Sequence, residues 1–238
     1  MKNKYIFILT ITAVCSLLLS LASEGLKDLK NKNIEIDKKK NILNAVGKVA
    51  NTMTMLEIDN YFTANIDTVI IDIEGNVIES LFLNDLLEIE NKQNGEFRYF
   101  SNSKECLPMF IDISSEAIVI PISGKGLWST LFGYLAISSN NFSTLKGLTF
   151  YKHKETPGLG AEISKEWFQS SFVGKEIYNN KALTSVKVMK SGMSDKSSLY
   201  EVDGISGATI TSNGVTSLLL RDLKRYEPYF KKELVNEK

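Results

Sequence analysis

The sequence contains very few of the side chains that bind transition metals. Among its 238 residues there are one histidine, His153, and two cysteines, Cys15 and Cys106. Because structural zinc sites usually take four cysteine or histidine ligands, we expect no metal site made by this chain alone. Cys15 lies within an apolar run and Cys106 far outside it, so the two cannot pair within one chain if that run lies in a bilayer. Both are interpreted as small buried hydrophobic residues.

The chain also lacks an excess of charge of either sign. Its 28 basic residues balance 28 acidic ones, which removes the usual electrostatic basis for binding nucleic acid. The hydrophobic share of 43% and the charged share of 24% are typical of a globular protein. A length of 238 residues suits one domain with an appendage, or two small domains.

One long hydrophobic run is present, at the amino terminus. No charged residue occurs from Tyr5 to Ala22, a length that just reaches the roughly 17–25 residues of a membrane-spanning helix. A cleaved signal peptide ending at Ala22 is the main alternative, and a lipoprotein signal at Cys15 fits less well because Val14 precedes it. Lys2 and Lys4 favour a cytoplasmic amino terminus, but the lysine-rich segment 23–40 leaves the orientation open.

The remaining patterns predict an α+β fold, in which strands are mixed with flanking helices. Apolar spacing indicates a helix over about 38–57. Ser164 is predicted to cap a short helix that turns Trp167 and Phe168 toward the core. The last helix is predicted to start at a cap formed by Thr211 or Ser212. The predicted strands are Thr68–Ile73, a hairpin partner from Val77, Ala117–Ile122, Leu131–Ile137, Gly147–His153 and Leu183–Met189.

A run of small and hydroxyl residues stands directly before the last helix. Residues 203–212 read Asp-Gly-Ile-Ser-Gly-Ala-Thr-Ile-Thr-Ser. Small residues let a backbone approach a ligand closely, and the free amides of a helix amino terminus favour a phosphate. The run is therefore suited to binding an anion, with Thr209 able to supply a hydroxyl oxygen. Taken alone, the same run is more typical of a simple helix cap.

This run resembles the acceptor motif of covalently flavinylated proteins, Asp-x-x-Ser-Gly-Ala-Thr followed by x-Thr. In such families a flavin transferase moves the FMN moiety of FAD onto the last threonine of Ser-Gly-Ala-Thr. The resemblance implies that Thr209 is the attachment residue and that Asp203 belongs to the segment recognised by the transferase. Thr211 is implied to be a cap or a phosphate contact instead.

Further segments resemble the NqrC family, a subunit family of the sodium-translocating NADH:quinone reductase. The loop 155–160, Glu-Thr-Pro-Gly-Leu-Gly, is similar to a flavin-domain loop shared by NqrC and by the RnfG protein of the Rnf electron-transport complex. The segments 124–134 and 211–215 resemble NqrC in particular. The residues implied to lie at the flavin are Thr209, Ser206, Gly207, Ala208, Thr211, Glu155, Thr156, Gly158, Leu159 and Trp128.

The resemblance implies an electron carrier that holds FMN covalently by a phosphoester bond and needs no general acid or base of its own. It further implies a bacterial inner-membrane location, with a single span and a periplasmic FMN domain. Its partners would be the other subunits of the complex and, during maturation, a flavin transferase. The expected division of the chain is a cytoplasmic terminus at 1–4, a membrane span at 5–22, a charged linker at 23–40 and the FMN domain at 41–238.

Two alternatives remain at this point. The first is RnfG of the Rnf complex, against which the segments at Gly126–Trp128 and Asn213–Gly214 argue. The second belongs to another class of protein, an exported binding or scaffold protein without a cofactor, in which residues 206–209 merely cap a helix.

Overall fold

The computed structural model of the chain describes residues 2–48 and 50–236. The chain divides into two compact units, Met1–Lys39 and Lys40–Lys238. Two helices begin it: α1 (Lys2–Gly25) and α2 (Lys27–Ala45). Within the described residues, one helix is long and apolar enough to cross a membrane, and it runs from Asn3 to Gly25 with its side chains exposed. The charged segment that follows it is largely helical.

The second unit is built on an antiparallel sheet. Its strands are β1 (Ile66–Asp72), β2 (Leu87–Asn91), β3 (Glu96–Ser101), β4 (Lys104–Asp112), β5 (Ala117–Lys125), β6 (Thr130–Ser138) and β7 (Leu145–Lys152). They lie in the order β2-β3-β4-β5-β6-β7, and β1 pairs with β4 off this path. Four two-residue strands follow β7: β8 (Tyr178–Asn179), β9 (Ala182–Leu183), β10 (Lys187–Val188) and β11 (Glu201–Val202). Three helices complete the unit: α3 (Met55–Asn65), α4 (Glu166–Ser170) and α5 (Thr209–Asn236).

The main core lies between one face of the sheet and α5. Successive side chains of a strand face opposite sides of the sheet, so alternate residues of β5 and β6 point into this core. Examples are Ile118, Ile120 and Leu135. Helix α5 presents a stripe of buried residues to them, including Val215, Leu218, Leu219, Leu223 and Tyr226. The mixed strands and flanking helices confirm the predicted α+β class.

Aromatic side chains that lie outside this main core pack together on the sheet. Phe110 of β4 contacts Tyr134 of β6 with a ring separation of 6.2 Å, and Tyr134 stacks on Tyr151 at 5.3 Å. Phe62 of α3 meets Phe110 at 6.2 Å. Helix α3 is thereby tied to the sheet by packing as well as by the chain that leads into β1.

Several local predictions are corrected by the structure. The helix predicted over 38–57 is two helices, because Gly47 adopts a left-handed backbone conformation (φ +81°) that ends α2. The amides of Gly47 and Lys48 donate to the carbonyls of Asn44 and Leu43, which closes that end. A capping box between Thr54 and Glu57 then starts α3. Val49 of the predicted helix lies outside the described residues.

The other corrections concern the hairpin partner and two caps. Val77 forms an isolated bridge with Ile71 and no strand. Ser164 does not cap α4: its hydroxyl donates to the Phe150 carbonyl at 3.0 Å, and Lys165 occupies the cap position. Trp167 is 49% exposed, so only its neighbour Phe168 faces the core. The predicted strand Leu183–Met189 is reduced to the short strands β9 and β10.

Candidate functional site

The predicted acceptor turn leads directly into α5. Ser206 and Gly207 form a turn, the Ala208 amide donates to the Ile205 carbonyl at 3.1 Å, and Thr209 is the first residue of the helix. Gly207 has a φ of +74°, a conformation that side-chain-bearing residues rarely adopt. The glycine in this turn is therefore required by the backbone itself.

The hydroxyl groups of this turn lie in very different environments. Thr209 is exposed, and its hydroxyl has no hydrogen-bond partner within the described part of the chain. Thr211 is buried and donates to Oε2 of Glu155 at 2.7 Å. Ser212 is also buried, and its oxygen accepts from the Ile205 amide at 3.4 Å. The prediction that Thr211 or Ser212 caps the last helix is wrong, because both residues lie inside its first turn.

Glu155 is a buried carboxylate that binds protein groups on all sides. It follows β7, and its side chain is 5% exposed. Besides the Thr211 hydroxyl, three consecutive backbone amides donate to it: Leu127 to Oε2 at 3.2 Å, Trp128 to Oε1 at 2.9 Å and Ser129 to Oε1 at 3.1 Å. Burial alone would raise the carboxyl pKa, but these four hydrogen bonds outweigh it and hold the pKa below its ordinary value.

The carboxylate occupies space that is open only because two neighbouring residues are glycines and have no side chain. A Cβ at Gly126 would lie 2.6 Å from Oε1 of Glu155, and a Cβ at Gly160 would lie 2.8 Å from both Oε2 of Glu155 and Oγ1 of Thr211. Real carbon atoms essentially never approach oxygen that closely. Glycine at both positions therefore allows the carboxylate to lie between the two loops.

The loop that carries Glu155 is itself held at its start. The Glu155 amide donates to Nδ1 of His153 at 3.2 Å, and Nε2 of His153 lies 2.8 Å from the Ser164 hydroxyl. An imidazole that accepts at Nδ1 is neutral and carries its proton at Nε2, and burial lowers the pKa of His153. The Lys154 amide donates to the Ser129 hydroxyl at 2.7 Å. His153 and Ser129, which sequence reasoning did not place at the site, thus belong to its framework.

Exposed apolar side chains surround the acceptor turn. Trp128 is 67% exposed although its backbone amide is held by Glu155. Leu159 is 42% exposed and lies beside the turn, since a Cβ added at Gly207 would come 3.0 Å from Leu159 Cδ2. Thr156 and Gly158 lie on the surface of the same loop, where Gly158 has a φ of +74°. The structure places Leu159 beside the acceptor turn, and Glu155 links the Trp128 amide to Thr211 in the first turn of α5.

Close backbone packing places the first turns of α5 against the end of β5. A Cβ on Gly214 would overlap the carbonyl oxygen of Lys125, and a Cβ on Gly124 would lie 2.5 Å from Leu218 Cβ. The helix can approach the strand this closely because both positions lack a side chain. The position of Thr209 relative to the sheet follows from this approach.

Other candidate sites carry less chemistry. No group of three His, Cys, Asp or Glu side chains that could hold a metal ion occurs in residues 2–48 and 50–236. A cavity of about 370 Å³ is lined by Ile73, Glu96, Arg98, Glu105, Arg221, Lys224 and Arg225. Five of its six charged residues are joined by ion pairs, such as Arg98 with Glu96 at 3.0 Å. Arg221 lies twelve residues after Thr209, about 18 Å along the helix, so this cavity is separate from the acceptor turn.

Comparisons with known proteins identify the family to which the chain belongs. Residues 126–224 match the model of the FMN-binding domain family. The NqrC subunit of the Na(+)-translocating NADH-quinone reductase from Vibrio alginolyticus is 30% identical over 229 residues, which cover 87% of this chain and 84% of that protein. Its counterpart from Pseudomonas aeruginosa is 29% identical, with 89% and 87% covered.

Solved structures give the same result. The crystal structure of the corresponding Na(+)-translocating NADH-quinone reductase subunit from Parabacteroides distasonis is 29% identical, with a TM-score of 0.71, and the match covers 86% of this chain and 96% of that one. A Shewanella oneidensis NqrC structure, 22% identical with a TM-score of 0.67, shares the fold. The chain belongs to the NqrC family of subunits of the Na(+)-translocating NADH-quinone reductases.

Proposed function

We propose that this chain carries FMN, attached by a phosphoester bond to Thr209, as the NqrC subunit of a sodium-translocating NADH:quinone reductase. One observation carries the choice of residue. Of the two threonines at the start of α5, Thr209 presents its hydroxyl to solvent, whereas Thr211 is buried and already donates to Glu155. An enzyme that transfers FMN can reach the first hydroxyl and cannot reach the second without opening the fold.

The start of α5 also suits the phosphate of the cofactor. The first amides of a helix have no partners within the helix, and its dipole favours negative charge at that end. The left-handed turn at Gly207 brings the backbone to this point without an intervening side chain. A phosphoester on Thr209 would thus lie beside free amide donors, so the residues present fit the group.

The surface beside Thr209 suits the ring system of the flavin. Leu159 and Trp128 offer exposed apolar and aromatic faces, and Thr156 and Gly158 supply polar and backbone groups at the same edge. Ser206 and Ala208 complete the turn. Glu155 is a less direct contact than the sequence suggested, since both its oxygens are bonded to protein groups. When bound, FMN supplies the redox chemistry, and the chain tethers and orients it.

The cellular setting follows from the same assignment. The apolar helix at 5–22 would anchor the chain in the bacterial inner membrane, with 1–4 in the cytoplasm and 23–40 leading to a periplasmic FMN domain at 41–238. Its partners would be the other subunits of the complex, and a flavin transferase would recognise the segment around Asp203. A covalent tether keeps the cofactor bound in a compartment where free FMN cannot be relied upon, and electron transfer within the complex would be coupled to sodium export.

Two matched variants test the attachment residue. The full chain is co-expressed with an active flavin transferase, and flavin fluorescence is read in a denaturing gel. We expect Thr209→Val to lose the fluorescence and Thr211→Val to keep it, with normal expression of both. Fluorescence that persists in Thr209→Val would refute the assignment. Loss in Thr211→Val alone would move the attachment to that residue, and a dark wild-type chain would favour a cofactor-free binding protein.

A further inference from the structure

Glu155 joins three segments that are distant in the sequence. The turn at 126–129 connects β5 and β6, the Glu155 loop follows β7, and Thr211 lies in the first turn of α5. The turn closes on itself through the Gly126 amide and the Ser129 carbonyl at 2.8 Å. Nevertheless, the hydrogen bonds that connect it to the other two segments pass largely through one carboxylate. Removing that carboxylate would leave three amides and a hydroxyl without their acceptor.

The chemistry of the contacts requires an ionised glutamate. All four partners are donors, and a carboxylate is the side-chain group that offers only acceptor sites. A glutamine would turn an NH₂ group toward at least one of these donors, and an aspartate would be one methylene shorter. Gly126 and Gly160 have no Cβ to occupy the space that the carboxylate fills, so the carboxylate can approach both loops.

We propose that Glu155 is a positioning residue that fixes Trp128 relative to the first turn of α5 before any flavin is attached. In this role it does not touch the cofactor. It holds the backbone of the loop that carries the aromatic side chain, and the helix that carries the attachment point, at a set separation, so that the flavin ring and its tether meet a preformed surface. This role adds to the proposed function and rests on it in one respect, namely that Trp128 and Thr209 are the two ends of the flavin site.

The first test uses the full chain produced without a flavin transferase. Hydrogen exchange of the Leu127, Trp128 and Ser129 amides is measured by mass spectrometry in the wild type and in Glu155→Gln. Because hydrogen bonds to charged groups are the strong ones, we expect exchange at these amides to rise at least about tenfold in the variant. Unchanged exchange would overturn the proposed role, whether or not the chain ever carries flavin.

Glu96→Gln provides the matched control. Glu96 is likewise buried, at 3% exposure, but its carboxylate accepts from Arg98 and Asn94 and from none of the amides at 127–129. We expect its loss to leave exchange at residues 127–129 unchanged. An equal rise in both variants would show a general loosening of the fold and would also overturn the positioning role.

The second test uses the chain loaded with flavin. We expect Glu155→Gln to keep the covalent flavin by mass but to lower its fluorescence anisotropy, since the ring surface is no longer fixed relative to the tether. Thr211→Val removes only the hydrogen bond between Glu155 and α5, so we expect it to lower the anisotropy while the amides at 127–129 stay protected from exchange. This second variant keeps the test usable if Glu155→Gln fails to fold. Anisotropy equal to the wild type in Thr211→Val would overturn the role. A wild type without flavin would refute the proposed function alone, because the exchange experiment needs no cofactor.

Discussion

Gly214 lies where α5 packs tightly against the end of β5, and its replacement by alanine has two opposing effects on stability. The position is inside a helix, where alanine is favoured over glycine by about 1 kcal/mol. The new Cβ would, however, overlap the Lys125 carbonyl oxygen and come within 3.6 Å of Gly126 Cα. Both neighbours are main-chain atoms of β5 and the turn after it, so no side-chain rotation can relieve the overlap.

The overlap is expected to outweigh the gain in helix propensity. Inserting a methyl group into a well-packed site costs about 1–3 kcal/mol, and a contact with rigid main chain lies at the upper end of that range. After subtracting the propensity gain of about 1 kcal/mol, we expect Gly214→Ala to lower the free energy of unfolding by about 2 kcal/mol. To relieve the overlap, the start of α5 would have to move away from β5.

Urea unfolding of the detergent-solubilised full chain, followed by circular dichroism, measures this difference. Ser217→Ala is the matched control, because Ser217 is exposed on the same helix. Its replacement should raise the free energy of unfolding by about 0.5 kcal/mol through helix propensity alone. A Gly214→Ala chain as stable as the control would refute the close approach of α5 and β5 on which the position of Thr209 depends.

Two further predictions concern the site. Trp128 is 67% exposed, so Trp128→Ala should change the free energy of unfolding by less than about 0.5 kcal/mol, yet it should raise the fluorescence yield of the attached flavin. Trp167 is also exposed, and the control variant Trp167→Ala should leave the flavin yield unchanged. Equal flavin yields in the two variants would refute a contact between Trp128 and the flavin ring. Because its hydrogen bonds lower the Glu155 pKa in the fold, the stability that Glu155 contributes is full above the ordinary value of about 4.3 and is lost as the pH falls through the lower folded-state pKa. Urea titrations should therefore show wild type and Glu155→Gln converging in acid, and a constant difference would contradict this.

The sequence predicted best those elements whose apolar pattern is dense. The strands β5 and β6 are buried along almost their whole length and appear in the sequence as continuous apolar runs. Helix α5 buries one face, so its apolar residues recur with a period of about 3.6. Strand β2 is exposed at every position and rich in charge, and it lies at the edge of the sheet. Its sequence Leu-Glu-Ile-Glu-Asn does alternate apolar and charged residues, but the run is only five residues long and neither of its faces is buried. The break after α2 depended on one left-handed glycine, Gly47, which apolar spacing alone does not reveal.

The site was predictable in its parts but not in its connections. The turn at 203–212 and the loop at 155–160 are recognisable because their glycines and hydroxyls are close together in sequence. The bonds that join them are long-range: Glu155 meets the turn at 127–129 across 26–28 residues and Thr211 across 56. Which hydroxyl would be buried and which exposed depends on how α5 lies against the sheet. The choice between Thr209 and Thr211 therefore gained its physical reason only from the fold.

Peptide mapping tests the central claim most directly. The chain is co-expressed with a flavin transferase shown to be active on a control acceptor, its intact mass is measured, and the tryptic peptide Ser197–Arg221, which contains every candidate hydroxyl of the turn, is fragmented. We predict an added mass of one FMN less one water, carried by Thr209. An unmodified peptide, or the added mass on Thr211 or Ser206, would contradict the account.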